Sequence, residues 1–441
     1  MMFWWLYNVV FAVLYLLLVP RFLLRMAKRG GYREDFLERF GIFSESKRSE
    51  LLSCPRVWMH AVSVGEIQVA LRFADEIRRR VPGTAFVFSV TTSTAHRIAE
   101  KRLTRGDVLI YFPVDIPVFV TRVMDLVRPV LIVLTESELW PNMLRLAGAR
   151  SIPVIMVNGR VSMSSYRGYR LVRPVLARVL RVPATFLVQT DGDGRRLIEL
   201  GAPADRVCVA GSVKYDDPGA DDAGLSRIGE ILSRCGVSGP DKVVLLGGST
   251  WAGEEAILLG ITARLRETVP GLRLILVPRH AERRQEVENA VRARGFNCVL
   301  RSGLEAGSLP VMGAGDVLLV DSTGELKYFY GCASVVFVGK SLTEHGGQNI
   351  VEPAVMGKPI IVGPNMENFP EIIEDFLSAG AIRQVADATG LEKGIRELVM
   401  DRQLRTGLGD KARALVVSRR GALNRSLDLI IPLLQKTPAA G

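Results

Sequence analysis

Cysteine is scarce in this chain of 441 residues. Cys54, Cys208, Cys235, Cys298 and Cys332 are scattered, odd in number and form no CxxC pair. That pattern excludes a disulfide frame and a cysteine zinc site, and it fits reduced thiols in a cytosolic compartment. Histidine is scarcer still. His60, His96, His280 and His345 stand far apart, with no HxxxH or HExxH pattern, so no bound metal is expected. No GxGxxG follows the first strand of either half, so no dinucleotide cofactor is indicated; a Walker lysine is also missing. There is no low-complexity segment, no short-period repeat, no basic tail and no basic–aromatic platform, which argues against nucleic acid as a partner.

What is present is apolar residue content of 48%, ample for two or three buried cores. The net charge of +11 is unevenly placed. Residues 1–214 hold 31 Lys and Arg against 18 Asp and Glu, whereas 215–441 hold 26 against 28. An anionic partner is therefore expected for the N-terminal half: a membrane surface or a phosphorylated substrate.

Phe3–Val19 is a run of 17 residues without a charge, and Arg21, Arg25, Lys28, Arg29 and Arg33 follow it. A cleaved signal peptide has the opposite charge order. The pattern predicts an N-terminal membrane-anchor helix with its basic flank within residues 1–33, and the rest of the chain on the cytoplasmic side. The length allows a short span, which is favoured, or an interfacial helix. A polar linker is expected at Ser44–Glu50.

Beyond it, short apolar runs alternate with helical periodicity. Strands are expected at Val57–Ala61, Ala85–Val90, Val108–Phe112, Val130–Leu134, Val154–Val157, Thr185–Val188 and Val207–Ala210. An acidic, turn-rich break follows at Asp216–Gly224. A second series runs Val243–Leu246, Leu272–Val277, Cys298–Leu300, Val317–Val320, Val335–Val338, Ile360–Val362 and Ile382–Val385. Such alternation means parallel sheets. The fold class is α/β: two Rossmann-like domains, 34–215 and 216–441, facing a cleft.

Several strand ends carry reactive residues. Glu66 lies in HAVSVGE, where it is either a general base for a hydroxyl or a helix-start charge. Glu136 and Glu138 emerge from an apolar run in TESELWPN, and either could reach a cleft. Lys214 in GSVKYD could meet an anionic leaving group. Asn158–Val182 has six arginines and no acid, interleaved with apolar residues, and reads as a face for anionic lipid. In the second half, GGSTWAGEE (Gly247–Glu255) is a candidate phosphate cradle, Arg279 in PRH suits bidentate phosphate contact, and DSTGEL follows another strand. Ser334–Pro364 reads strand, glycine-rich loop, helix, strand, with Asn349 and Glu352 spaced almost as a capping box.

Taken in order, HAVSVGE, TESELWPN, NGRVS, GSVKYD, GGSTWAGEE, VPRH, DSTGEL and GGQNIVEPA resemble the motifs of one family over nearly the whole chain. The family is the Kdo transferases, which move 3-deoxy-D-manno-oct-2-ulosonic acid (Kdo) from CMP-Kdo to a lipid A precursor in lipopolysaccharide synthesis. Two departures are visible: Gln348 stands where the family often has histidine, and Ser322-Thr323 where Thr-Met is usual. The resemblance implies the GT-B fold, with the first domain taking lipid IVA and the second CMP-Kdo. It implies inverting direct displacement, no metal and no other cofactor. Glu66 would be the base, with Glu136 and Lys214 stabilising the transition state. Pro278 and Arg279, then Thr323, Gly324 and Glu325, then Asn349, Ile350, Val351 and Glu352 would hold the CMP moiety. The implied location is the cytoplasmic side of the cell inner membrane. Two other readings stand beside this one: a GT-B glycosyltransferase using a UDP-sugar, and a non-catalytic scaffold that binds anionic lipid.

Overall fold

The computed structural model describes residues 4, 5, 7–13, 15, 17, 35–304 and 311–436. The chain divides into two compact units, Met1–Asp216 with Gly421–Gly441, and Asp217–Arg420.

The N-terminal unit is built on β1 (Arg56–Ala61), β2 (Phe86–Val90), β3 (Val108–Tyr111), β4 (Pro129–Thr135), β5 (Val154–Gly159), β6 (Thr185–Val188) and β7 (Val207–Val209). They form one parallel sheet in the order β3-β2-β1-β4-β5-β6-β7. β1 and β2 are buried at every position, and all their residues but Arg56, His60 and Ser89 are apolar. The helix Val64–Arg80 covers one face with Ile67, Ala70, Phe73 and Ile77. The other face packs Trp58, Val87, Ile110, Met124 and Leu134. Each fully buried side chain of this size contributes about 1.5–3 kcal/mol.

The second unit holds β8 (Val243–Thr250), β9 (Leu272–Pro278), β10 (Asn297–Leu300), β11 (Asp316–Leu319), β12 (Val335–Val338), β13 (Ile360–Val362) and β14 (Arg383–Gln384). Its sheet is also parallel, in the order β10-β11-β9-β8-β12-β13-β14. All fourteen expected strands are present among the described residues, with ends shifted by a few residues at most.

Three local expectations change. Ser44–Glu50 is not a linker: Ser44 caps a helix, Glu45–Leu52, by accepting from the Lys47 N–H at 3.3 Å, and Leu51 anchors it in the core. Gly247 to Thr250 are not loop but the end of β8. The tail also differs from the boundary expected at 216–441. The helix Ala422–Lys436 packs Ala422, Leu427 and Ile430 into the core of the N-terminal unit. The Asp216 carboxylate accepts from Gly421 N at 2.5 Å and Leu423 N at 2.6 Å, and Arg80 reaches Asp428 at 2.9 Å. These long-range partners are invisible to a reading that divides the chain at one linker.

At the other end, the described residues between Trp4 and Leu17 are helical. Tyr7 donates to Asp115 at 3.0 Å, and Asn8 accepts from Asn142 at 2.7 Å. Trp5, Val9, Val10, Val13 and Leu17 are exposed. Among the described residues no helix is long and apolar enough to cross a membrane. Arg21, Arg25, Lys28, Arg29 and Arg33, and so the expected basic flank, lie outside the described residues.

Candidate active site

In the N-terminal sheet the strand order reverses between β1 and β4. The carboxyl end of such a switch point is where open α/β sheets place ligands. Glu66 comes from the segment after β1, and Glu136 and Glu138 from the segment after β4.

Glu66 is in the first turn of the helix Val64–Arg80, 7% exposed. Ser63 caps that helix by accepting from the Glu66 N–H at 3.3 Å. The Glu66 carboxylate reaches back to accept from the Val62 N–H at 2.9 Å, and from the Thr135 hydroxyl at 3.3 Å. Both bonds fall on Oε2. The Ser63 cap holds the backbone of Glu66, and the bonds from Val62 and Thr135 hold its carboxylate at the sheet edge.

Glu136 has a φ of 56°, a left-handed conformation that costs a non-glycine residue about 1–3 kcal/mol. Its N–H donates to the Val157 carbonyl at 3.0 Å, continuing the β4–β5 ladder past the strand. The bend aims its side chain at Lys214, whose Nζ lies 3.8 Å from Oε1. Lys214 sits in a short turn, Val213–Asp216. That turn is pinned by Asn158 Oδ1, which accepts from Val213 N at 3.1 Å, and by Arg72, which donates to the Val213 carbonyl at 3.0 Å. The structure thus brings together Glu136 and Lys214 across a long stretch of sequence.

His60, at the end of β1, is fully buried. Its Nδ1 lies 2.9 Å from Ser89 Oγ and 3.1 Å from the Ser89 carbonyl, while its Nε2 accepts from the Trp140 indole N–H at 3.0 Å. These contacts assign a neutral imidazole with the proton on Nδ1. Burial pushes its pKa down to about 3. Glu138 Oε2 lies 3.9 Å from Nε2. Burial, and then the charge of Glu66, push the Glu138 carboxyl up to about 7.

The second unit assembles its candidate residues at the carboxyl edge of its own sheet. Pro278 ends β9, and the N–H of the exposed Arg279 donates to the Thr250 carbonyl at 3.0 Å, joining the ends of β8 and β9. Thr323 and Gly324 are exposed in the segment after β11. Glu325 is committed to ion pairs with Arg227 at 2.8 Å and Arg301 at 3.0 Å. After β12, Asn349 Oδ1 accepts from the Val351 N–H at 3.0 Å, and its amide donates to Glu352 at 3.1 Å. That is a side-chain pair and an Asx-type turn, not the reciprocal capping box. Ile350 and Val351 are fully buried, so their side chains serve the core and only their backbone is placed at the sheet edge. The buried Tyr330 phenol is pushed far up by burial, with the charge of Glu352 adding and that of Arg279 opposing.

In the segment after β8, Glu254 is fully buried and its carboxylate is bound by backbone N–H groups of two segments. Its Oε2 accepts from Trp251 N and Lys340 N, each at 2.8 Å, and its Oε1 from Ser341 N and Leu342 N, each at 3.0 Å. The segments after β8 and β12 are thereby stitched together. Gly339 is required there: a Cβ would stand 2.6 Å from Glu254 Oε2 and from the Ser249 carbonyl oxygen. Sequence reasoning missed Glu254, His60 and Tyr330. The signal for Glu254 was a glutamate four residues past a strand, too common to single out.

Two parallel Rossmann-like units with reactive residues at their carboxyl edges are the architecture of the GT-B class of fold. Residues 34–217 match the family model of 3-deoxy-D-manno-octulosonic-acid transferase (kdotransferase), and residues 316–415 that of glycosyl transferases group 1. A 3-deoxy-D-manno-octulosonic acid transferase of Bordetella pertussis is 33% identical over 92% of this chain and 94% of its own. Its counterpart from Haemophilus influenzae is 31% identical over 92% of both chains. Among solved structures, a UDP-GlcNAc 2-epimerase from Neisseria meningitidis matches with a TM-score of 0.55 at 12% identity, over 86% of this chain and 100% of its own, a likeness of fold alone. The chain belongs to the Kdo transferase family, whose members act as glycosyltransferases in lipopolysaccharide biosynthesis.

Proposed function

We propose that this protein transfers Kdo from CMP-Kdo to lipid IVA by inverting direct displacement, with Glu66 as general base. The observation that carries the reading is the placement of Glu66, Glu136 and Lys214 at the carboxyl edge of the N-terminal sheet, Glu66 and Glu136 flanking its switch point. A sugar hydroxyl of the acceptor attacks the anomeric carbon of Kdo. Its proton passes to Glu66 Oε1, the oxygen opposite the one held by Val62 and Thr135. The bond from the anomeric carbon to the phosphate oxygen breaks, and CMP leaves with the electron pair. Lys214 offsets the charge that develops on the phosphate, and Glu136 orients the ammonium and favours the oxocarbenium-like centre. In the second unit, Arg279, Thr323–Glu325 and the Asn349–Glu352 turn bind CMP; Arg279 supplies the charge for its phosphate.

The acceptor is a phosphorylated, acylated lipid. The helices Met163–Leu171 and Arg173–Val179 suit it: Arg167, Arg170, Arg173 and Arg178 are exposed beside Met163, Leu171 and Val172. We place the protein at the cytoplasmic face of the inner membrane. The polar ties of Tyr7 and Asn8 to Asp115 and Asn142 support an N-terminal helix that lies at the interface rather than one that spans.

Mass spectrometry of lipid IVA after incubation with CMP-Kdo is the test. Addition of Kdo is expected; turnover with UDP-sugars and none with CMP-Kdo overturns the donor. Glu66→Ala is expected to lower turnover by at least about a hundredfold, in line with loss of a general base, while CMP still binds. Turnover like that of the wild type removes Glu66 from the role.

A further inference from the structure

The strand β5 does not run straight to its carboxyl edge. Met156 pairs with Phe186 and Gly159 with Val188, three steps along β5 against two along β6, so one extra residue is taken up at Val157-Asn158. That is a β-bulge, which bends a strand and re-aims a side chain. Asn158 carries the bend: its φ is 52°, in the left-handed region that favours glycine, and it is 1% exposed. Gln189 holds the backbone of the bulge. Its N–H donates to the Gly159 carbonyl at 2.9 Å, and its side-chain amide to the Asn158 carbonyl at 3.0 Å. Glycine would take this φ more readily. What asparagine adds is an acceptor, Oδ1, which receives the Val213 N–H at 3.1 Å. The Asn158 Nδ2 is buried and, among the described residues, has no hydrogen-bond partner. The residue thus combines a strained backbone and an unmet donor with one side-chain bond, and that bond falls on the residue before Lys214. Glu136, at the end of the neighbouring strand, is left-handed as well, with its N–H on the Val157 carbonyl. Both bends lead to the same ion pair, Glu136 directly and Asn158 through Val213 and Lys214.

We propose that Asn158 is a positioning residue for Lys214: the bulge in β5 aims Oδ1 at the Val213 N–H and so fixes the turn Val213–Asp216, from which Lys214 meets Glu136 at 3.8 Å. The inference rests on the reading of Lys214 as the group that offsets the charge developing on the phosphate. Val213 has two other holds. Its side chain is buried in the core of the N-terminal unit, and its carbonyl accepts from Arg72 at 3.0 Å. Those two keep the turn attached to the unit when the Asn158 bond is removed. The bond from Asn158 fixes the Val213 N–H side, and with it the direction in which the next residue leaves the core. A fixed charge favours a transition state over a ground state only where it is preorganised, and a displacement of about 1 Å can cost up to about a hundredfold in rate. The cost of losing Asn158 therefore falls on turnover, not on the folding of the unit or on the binding of CMP.

The test is Asn158→Gly in the full chain, assayed with CMP-Kdo and lipid IVA. Glycine accepts the left-handed backbone and removes the unmet Nδ2, which offsets the lost bond to Val213. The melting temperature is expected to stay within about 4 °C of the wild type. Over the same substitution kcat is expected to fall by roughly tenfold to a hundredfold, with KM for CMP-Kdo within about twofold. A kcat within about threefold of the wild type overturns the proposal, and so does a loss that appears in KM alone. A larger fall in melting temperature shows a merely structural residue and overturns it too. A double-mutant cycle with Lys214→Ala supplies the second readout, with product accumulated over hours and counted by mass spectrometry. If Asn158 acts through Lys214, Asn158→Gly slows the Lys214→Ala variant by no more than about twofold. A further slowing as large as that in the wild-type background overturns the positioning role. Where Lys214→Ala makes no product at all, the kcat and melting temperature of Asn158→Gly decide alone. Undiminished turnover in Lys214→Ala is a different result: it overturns the reading of Lys214 on which the inference rests.

Discussion

Replacing Glu254 by glutamine tests how the second unit holds its ligand edge. The carboxylate has four backbone N–H partners, two on each oxygen. Glutamine keeps one oxygen and puts an NH2 where the other was. Two buried N–H groups then lose their acceptor and face a donor. Each unmet buried N–H costs about 1–3 kcal/mol, so the expected loss is about 4 kcal/mol. For a unit of this size that lowers the melting temperature by roughly 8–16 °C. The loss is local first: residues 340–342 are released from the segment after β8, next to the Asn349–Glu352 turn. Differential scanning calorimetry and amide hydrogen exchange at 340–342 measure both effects. Faster exchange there, with a weaker affinity for CMP, is expected. A melting temperature within about 2 °C of the wild type together with unchanged exchange refutes the reasoning, because it would mean that the four bonds are not what fixes the loop.

Arg279→Ala should raise KM for CMP-Kdo with a smaller change in kcat, because the loss falls on donor binding; an unchanged donor constant sinks that assignment. His60 gives a pH signature in stability. Its folded pKa is about 3, below the ordinary value, so its neutral burial costs nothing above about pH 6.5. Between pH 6.5 and 3 the unfolded chain binds the proton that the folded chain excludes, and stability falls by about 1.4 kcal/mol per pH unit. His60→Asn lacks this slope, so its deficit in melting temperature relative to the wild type should shrink as pH falls from 7 to 4. A deficit that stays constant contradicts the assigned burial.

Much of the architecture was legible because both sheets are parallel and covered on both faces. Such strands announce themselves as short apolar runs, and β5, β6, β12 and β13 start or end where the β-branched residues do. Candidate residues were legible for a related reason. Ligands of α/β sheets gather at strand ends, so Glu66, Glu136, Arg279 and Asn349 could be picked from their position after an apolar run. What failed was anything set by a partner distant in the chain. Gly247-Gly248-Ser249-Thr250 looks like a loop, yet β9 and β12 extend the ladder through it. Ser44–Glu50 has no apolar periodicity, and one buried leucine with a serine cap suffices to make it a helix.

By itself, the sequence determined the class: two α/β units, an uneven positive charge, few metal ligands and an ordered series of motifs. Only the tertiary structure decided which residues meet. Lys214 joins Glu136, Asp216 caps the helix Ala422–Lys436, Glu254 ties the segment after β8 to that after β12, and Glu138 lies beside His60. The reason is physical. Apolar periodicity is a local property that one segment carries alone, whereas charge pairing and hydrogen bonding are settled by distances of a few ångströms between segments far apart in the chain.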